Sequence, residues 1–136
     1  MNNPRYLLDT NTVSYIIRGK NEMVFLRLRE IPGEQIFISV ITEAELRFGV
    51  ARRPEATNIA AAVAEFLRRV QIVPWDSLAA LHYAEVRSAS ERIGEPMAVM
   101  DLLIAAQALA LNATLVTSDR GFRRIKRLKI ADWTKP

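Results

Sequence analysis

Four acidic residues occupy positions where carboxylates could act together in chemistry: Asp9, Glu45, Asp101 and Asp119. Each of them closely follows a predicted strand or lies near the start of a predicted helix. Carboxylates that lie close together repel one another, so four of them cannot all stay ionised without a compensating charge. A hard divalent cation with oxygen ligands, Mg²⁺ or Mn²⁺, supplies that charge. Because such an ion orients a water molecule and lowers its pKa, the pattern predicts metal-dependent hydrolysis.

Asp101 is the most informative of the four acids, because its neighbours at helical spacing are apolar. They include Met97, Ile104 and Ala105. An ionised carboxylate in apolar surroundings costs several kcal/mol unless something compensates it. The dipole of a helix N-terminus contributes only about 0.3–1 kcal/mol. A metal site explains this residue, and the alternative is a helix cap paired with one buried arginine.

Glu45 and Glu43 point to different faces of one predicted helix because they are two residues apart. Glu43 stands four residues before Arg47, which is the favourable order for an ion pair on a helix surface. Glu45 has Ile41 and Phe48 as its near neighbours. We therefore expect Glu43 to be a surface partner of Arg47 and Glu45 to face the interior.

Basic residues are concentrated near the C-terminus. From Arg120 to Lys129 six residues are basic and none is acidic, in a chain of net charge +4. The remainder of the chain therefore carries a small net negative charge. A local basic cluster beside Asp119 favours a polyanion such as nucleic acid as the substrate, and a solvated helix end is the alternative.

The elements that must position these side chains alternate between strands and helices. We predict strands over 6–8, 35–40, 72–73, 114–117 and 129–131. Helices are predicted from a cap at Asn11 or Thr12 to Arg18 and over 23–30, 42–52, 56–70, 77–93, 101–111 and 121–127. Such alternation predicts an α/β fold with a mainly parallel sheet, whose strands are apolar because both faces are covered. Functional groups gather beyond the carboxyl ends of such strands.

Composition excludes several classes of protein. The chain has 136 residues, of which 50% are hydrophobic and 25% charged, as expected for one globular domain. Because cysteine is absent, disulfide frameworks and thiol catalysis are excluded. The apolar N-terminal run is too short for a signal peptide, and residues 97–113 contain Asp101, Gln107 and Asn112, so we expect no membrane span.

Four segments, taken in order, resemble the PIN-domain ribonucleases, and within them the VapC-type toxins of toxin–antitoxin pairs. The segments are Leu8-Asp9-Thr10-Asn11, residues 39–46 (Ser-Val-Ile-Thr-Glu-Ala-Glu-Leu), residues 101–109 (Asp-Leu-Leu-Ile-Ala-Ala-Gln-Ala-Leu) and residues 115–122 (Leu-Val-Thr-Ser-Asp-Arg-Gly-Phe). The second segment aligns Glu45, rather than Glu43, with the acid of the family. The resemblance covers essentially the whole chain, and the four motifs in this order are far more specific than any one alone.

This resemblance implies a PIN-like three-layer α/β/α sandwich with a short, mainly parallel central sheet, formed by residues 1–136 as a single domain. It implies Mg²⁺-dependent endonucleolytic cleavage of RNA, with transfer or ribosomal RNA as the target, in the cytoplasm of a prokaryote; Mn²⁺ is expected to substitute for Mg²⁺. It also implies a homodimer that is inhibited by a cognate VapB-type antitoxin. We expect the surfaces for these partners on the predicted helices over 23–30, 42–52 and 56–70.

The resemblance and the chemistry together assign roles to individual residues. Asp9 and Asp101 are expected to hold the metal most directly, and Glu45 and Asp119 to complete its surroundings through water. Residues expected to orient these ligands are Thr10, Asn11, Thr117 and Ser118, with helix capping and turn formation as the alternative. Residues expected to contact RNA phosphates are Arg120, Arg123, Arg124 and Lys126.

Two other functions remain open at this point. One is a phosphatase that uses Asp9 as its nucleophile, although the position two residues on, where such enzymes usually have a second acid, is Asn11. The other is a domain of the same fold that binds RNA or protein without catalysis. A set of four acids argues against this second alternative, because a binding domain gains nothing from clustered negative charge facing RNA.

Overall fold

The computed structural model describes residues 3–136, in which five short strands alternate with six helices. The strands are β1 (Tyr6–Leu8), β2 (Ile36–Ser39), β3 (Gln71–Val73), β4 (Thr114–Val116) and β5 (Ile130–Ala131). The helices are α1 (Thr10–Arg18), α2 (Glu22–Glu30), α3 (Val40–Ala51), α4 (Thr57–Arg69), α5 (Ser77–Arg92) and α6 (Val99–Leu111). Two 3-10 helices precede β2 and follow β4, namely Gly33–Gln35 and Arg120–Arg124.

The five strands form one sheet in the order β3-β2-β1-β4-β5. Every pairing in this sheet is parallel, so the predicted mainly parallel sheet is confirmed. The central strand β1 pairs with β2 on one side and with β4 on the other, with Leu8 opposite Val116. The direction of strand progression reverses between β1 and β4. In open α/β sheets this switch point, at the carboxyl ends of the strands, is where ligands bind.

The alternating side chains of the strands build one apolar core on each face of the sheet. Leu8 and Val116 belong to the core that contains Val13 of α1 and Val63 of α4. Their neighbours Leu7 and Leu115 belong to the other core, with residues of α6 such as Ala105. Because the side chains of a strand point alternately to opposite faces, strands only three residues long contribute to both cores. The three-layer arrangement predicted from the sequence is therefore confirmed.

The start of α1 differs from the prediction. Its N-cap is Asp9, whose side chain accepts a hydrogen bond from the Thr12 amide, and the predicted caps Asn11 and Thr12 lie inside the helix. The helix begins earlier because the aspartate that ends β1 already satisfies a free amide of the first turn. The predicted C-terminal stop is confirmed, since Gly19 adopts a left-handed conformation with φ of 61°.

Two other boundaries also shift. The strand predicted over 35–40 ends at Ser39, whose hydroxyl accepts a hydrogen bond from the Ile41 amide and so caps α3. The helix therefore begins at Val40, two residues before its predicted start. The helix predicted over 121–127 is instead a 3-10 helix of five residues, Arg120–Arg124. Within residues 3–136, no helix combines the length and hydropathy needed to cross a membrane.

Candidate active site

Asp9 lies at the carboxyl end of β1 and is only 4% exposed. Its Oδ1 accepts a hydrogen bond of 2.8 Å from the Thr12 amide, and its own amide donates to the carbonyl of Val116 on β4. Burial raises the pKa of this carboxyl above its ordinary value, and hydrogen bonds from Thr117 and Thr12 act in the opposite direction. The negative charge of Asp119 adds to the rise. Asp9 is thus a buried acid whose charged form is only partly compensated by the protein.

Glu45 lies in the middle of α3 and accepts a hydrogen bond from a hydroxyl group of α1. Thr10, at the start of α1, donates a hydrogen bond of 2.5 Å from its Oγ1 to Oε1 of Glu45. The same hydroxyl lies 3.2 Å from that of Thr42, which is fully buried. Glu43 pairs with Arg47 at 2.8 Å. The predicted ion pair of Glu43 with Arg47 is therefore confirmed. Both glutamates are half-buried, however, so the predicted contrast between a surface Glu43 and an interior Glu45 is not found, and Glu45 instead turns toward α1.

Asp101 lies in the first turn of α6 and is half-buried. Burial raises the pKa of its carboxyl, and the charges of Asp119, Asp9 and Glu45, in that order, raise it further. No cation partner of Asp101 is found among the ion pairs of residues 3–136. The alternative of a cap paired with a buried arginine is therefore wrong.

Asp119 is exposed and begins the 3-10 helix that follows β4. Its Oδ1 accepts from the Gly121 amide at 2.8 Å, and its own amide donates to Oγ1 of Thr117 at 3.0 Å. A Cβ at position 121 would stand 3.1 Å from Oδ1 of Asp119. Glycine at this position therefore lets the backbone approach the carboxylate closely.

The four predicted acids meet at the carboxyl edge of the sheet, beside the switch point between β1 and β4. Two of them follow those neighbouring strands, and the other two are carried by α3 and α6, which pack together. The charges of the other three all act on Asp101. The four acids thus form a shared patch of negative charge, and their role as one site stays a prediction.

Of the four residues expected to orient the acids, two contact them. Thr10 binds Glu45, and Thr117 hydrogen-bonds to Asp9 and to the amide of Asp119. Asn11 is exposed and Ser118 is half-buried, and within residues 3–136 neither side chain forms a hydrogen bond to any of the four acids. The four basic side chains expected to contact phosphate are all exposed: Arg120, Arg123, Arg124 and Lys126.

Three supporting residues were missed by sequence reasoning: Thr12, Thr42 and Gly121. Thr12 is 3% exposed, and its hydroxyl donates to the carbonyl of Val116, which ties α1 to β4. The signal that could have revealed Thr42 is its position one helical turn before Leu46 on the buried side of α3, where both residues are buried. The role of Gly121 was also predictable, because it follows Asp119 by two residues and an aspartate in a turn accepts a hydrogen bond from the backbone two residues on.

The donor set fits a hard divalent cation. All four side chains offer carboxylate oxygens. The pKa values of Asp9 and Asp101 are raised first by burial and then by the charges of neighbouring acids, so a nearby cation would stabilise their charged forms. Within residues 3–136, no three Asp, Glu or His side chains already form a ligand set around one point. The fit therefore rests on the chemistry of the donors, since Mg²⁺ takes oxygen ligands, and not on a completed ligand set.

Comparison with known proteins agrees with this geometry. Residues 6–128 match the PIN domain. The chain is 34% identical to Ribonuclease VapC2 of Rickettsia felis over 132 residues, which cover 96% of this chain and 98% of that protein. This chain therefore belongs to the PIN-domain family and, within it, to the VapC ribonucleases. It is also 32% identical to the tRNA(fMet)-specific endonuclease VapC of Salmonella typhimurium over 130 residues, covering 95% of this chain and 98% of that protein.

The fold is shared with the solved structure of DNA-bound VapBC from Salmonella typhimurium. The TM-score is 0.89 at 31% identity, and the match covers 96% of this chain and 99% of that chain. The predictions of a PIN-like α/β fold and of membership in the VapC group are thus confirmed.

Proposed function

We propose that this chain is the endoribonuclease toxin of a toxin–antitoxin pair and hydrolyses RNA phosphodiester bonds at the four-carboxylate site. The observation that carries this proposal is the meeting of Asp9, Glu45, Asp101 and Asp119 at the switch point of the sheet. The relatives described above are named as a ribonuclease and an endonuclease, which favours nuclease chemistry over a phosphatase or a non-catalytic domain.

PIN-domain nucleases in general depend on a divalent metal ion, and we propose Mg²⁺ here, with Mn²⁺ able to replace it. When bound, the ion would lower the pKa of a water molecule and offset the charge that develops on the phosphoryl oxygens. Asp9 and Asp101 would hold it directly, because these two acids have raised pKa values and gain most from a nearby cation. Glu45 and Asp119 would act through water.

Other residues of the chain would position the acids and the substrate. Thr10 fixes the Glu45 carboxylate, and Thr117 links Asp9 with the backbone of Asp119. The exposed cations Arg120 and Arg123 lie one and four residues after Asp119 and would bind phosphates of the RNA on either side of the cut. Because the Salmonella relative is named as specific for tRNA(fMet), we propose transfer RNA as the substrate class to test first.

The structures of relatives described as VapBC support a VapB-type antitoxin as partner. We propose that the antitoxin binds an apolar groove of about 460 Å³ between α1, α2 and α4. Its lining includes Ile17, Leu28 and Phe66, and Phe25 on α2 is 47% exposed beside them. Two of the three helices expected to carry partner surfaces thus border this groove. On the third, α3, Phe48 is 63% exposed and marks the face that we propose for the homodimer.

The test is cleavage of purified transfer RNA by the purified chain. Mg²⁺ should start cleavage and EDTA should stop it. Asp9→Asn or Asp101→Asn should reduce the rate by more than the roughly 10–100-fold that loss of a supporting partner of a metal ligand causes. Melting curves in EDTA would establish that each variant is folded.

Asp76→Asn is the matched control for these two variants. Asp76 is exposed and caps α5 through the Ala79 amide, and asparagine caps a helix equally well. This variant should keep the activity of the original chain. Cleavage that persists in both site variants, or that proceeds in EDTA, would reject the assignment of the site.

A further inference from the structure

A second large concavity lies outside the four-carboxylate site. It has a volume of about 880 Å³ and lies between the C-terminal half of α5 and the turn that ends the 3-10 helix after β4. Residues 81–93 form one wall, residues 124–127 form the other, and Met97 closes the base. The volume falls within the range of sites that hold small molecules or parts of larger ligands.

The interior of this cavity is apolar. Val86 is buried at its floor, and Ile93, Met97 and Ile125 surround it. Ile93 and Leu81 are each 59% exposed, although both are large aliphatic side chains. Apolar surface of this extent gains free energy when a ligand covers it, so the cavity is suited to a flat or aliphatic group.

The rim of the cavity is basic. It carries four cations, Arg92, Arg124, Lys126 and Arg127, and one acid, Glu85. Arg127 donates a hydrogen bond of 2.8 Å to Glu85, which joins the two walls at one end. At the other end Arg124 donates to the backbone carbonyl of Glu95 at 3.3 Å. After these contacts the rim retains a net positive charge, and Lys126 forms no ion pair within residues 3–136.

The cavity adjoins the segments that carry two of the four acids. Asp119 begins the 3-10 helix that ends at Arg124, and Met97 comes four residues before Asp101. The connection between α5 and α6 is held in place because the Ser90 hydroxyl donates to the carbonyl of Glu95 and accepts from the amide of Met97, both at 3.2 Å. The cavity and the acids are thus connected through two short segments of the chain, one from Asp119 to Arg124 and one from Met97 to Asp101.

We propose that this cavity is a nucleotide subsite, which receives an unstacked base of the RNA next to the scissile phosphate. The apolar floor covers the base, while Lys126 and Arg92 contact the neighbouring phosphates. Proteins that recognise single-stranded RNA stack unpaired bases on aromatic side chains or Arg planes and bind the backbone with cations; here arginines on the rim and aliphatic side chains on the floor would take these roles. The net positive charge of the rim favours a polyanion such as RNA as the ligand. The inference rests on the proposed ribonuclease function and adds a determinant of substrate choice to it.

The experiment measures the binding of short single-stranded RNA of random sequence to the chain carrying Asp101→Asn, so that the RNA is not cut. Ala84→Trp fills the cavity from α5, where Ala84 is exposed, and Lys126→Glu reverses a charge on the rim. Ala84→Trp should weaken binding by about fivefold or more, the lower end of what one base contact contributes, without changing the salt dependence. Lys126→Glu should weaken binding and reduce the magnitude of the slope of log K against log salt concentration by about one.

Two control variants match these changes outside the cavity. Ala80→Trp alters an exposed alanine one turn earlier on α5, and Lys129→Glu reverses an exposed charge of the same basic segment. Both should bind RNA as the Asp101→Asn parent does. If Ala84→Trp binds like Ala80→Trp, the subsite is wrong, whatever the effect of Lys126→Glu. The proposed function fails separately, if the original chain does not cleave RNA with Mg²⁺.

Discussion

The carboxyl group of Asp9 combines a structural and a chemical role. Its Oδ1 caps α1, while burial and the charge of Asp119 raise its pKa. The start of a helix favours negative charge and so acts against the effect of burial, which disfavours the anion. Capping and metal binding are therefore compatible for this residue.

Thr10 should support catalysis through Glu45. Thr10→Val removes the hydroxyl that donates to Oε1 of Glu45 and keeps the shape of the side chain. We expect a loss of about 10–100-fold in activity or in Mg²⁺ affinity, which titration of the cleavage rate with Mg²⁺ would measure. Thr57→Val, on the exposed first turn of α4, is the control and should change neither quantity. Equal behaviour of the two variants would contradict the role of Thr10.

Asp101 should destabilise the metal-free protein at neutral pH. Its pKa is raised in the folded state, so between the ordinary value of 3.8 and the raised value the folded chain binds more protons than the unfolded chain. Stability contributed by this group is therefore present at low pH and is lost as the pH rises through the raised pKa. Asp101→Asn should raise Tm in EDTA at neutral pH, and the difference should vanish below the ordinary pKa.

Asp132→Asn should change Tm in the opposite direction to Asp101→Asn and serves as the comparison. Burial acts to raise the pKa of Asp132, but hydrogen bonds from Thr134 outweigh it, so the pKa is lowered. This variant should lower Tm at neutral pH and lose its effect in acid. A clear drop in Tm for Asp101→Asn without metal would mean that the Asp101 carboxylate stabilises the metal-free fold, which contradicts the prediction that its charge is uncompensated.

At the scale of the elements, a buried polar bridge sets the position of α6 against α3. The Ser39 hydroxyl donates to Oε1 of Gln107 at 2.9 Å, and Nε2 of Gln107 donates to the carbonyl of Pro74 at 3.3 Å. Ser39 is fully buried and Gln107 is 2% exposed. Because α3 carries Glu45 and α6 carries Asp101, this bridge determines how two of the acids face each other.

The bridge makes a prediction about stability. Gln107→Leu leaves the Ser39 hydroxyl without its acceptor and should lower the free energy of unfolding by about 1–3 kcal/mol. Ser39→Ala should have a similar effect. The double variant should cost less than the sum of the two, because Ser39 and Gln107 then no longer leave each other unpaired. The Pro74 carbonyl and the Ile41 amide, by contrast, lose their partners equally in the single and double variants. Urea unfolding of all four proteins measures the coupling, and strictly additive effects would contradict it.

At the scale of the whole molecule, two faces are suited to different partners. The groove between α1, α2 and α4 is apolar, whereas the cavity beside α5 has a basic rim. The four acids lie at the carboxyl edge of the sheet, where α1, α3 and α6 begin. The lining of the groove includes Ile36 at the start of β2 and Val70 just before β3, so the groove lies toward the opposite edge of the sheet from the acids.

The groove should be required for antitoxin binding and not for cleavage. Ala62→Glu places a charge in the groove, whereas Ala61→Glu places the same charge on the exposed face of α4. Because burying an unpaired carboxylate costs several kcal/mol, Ala62→Glu should abolish the complex with the cognate antitoxin. Gel filtration of the mixed proteins measures the complex, and RNA cleavage by each variant alone should persist. Retention of the complex by Ala62→Glu would place the antitoxin elsewhere.

Much of the fold was predictable because its sequence signals are local. Tyr6–Leu8 and Ile36–Ser39 are short apolar runs, and Gly19 marks the end of α1. The boundaries near Asp9 and Ser39 were missed because both residues cap a helix with their own side chains as soon as the strand ends. A periodic pattern of apolar residues does not contain that information.

The sequence by itself singled out four acids as candidates and predicted that Glu43 and Glu45 lie on different faces of one helix. Glu45 was distinguished from Glu43 because side-chain direction follows from helical spacing, and Asp101 stood out because a charge among apolar residues requires compensation. The tertiary structure alone decided the strand order, the support of Glu45 by Thr10, the bridge between Ser39 and Gln107, and the cavity beside α5. These features join residues that are far apart in the chain, and the free energy that selects them arises only when the layers pack.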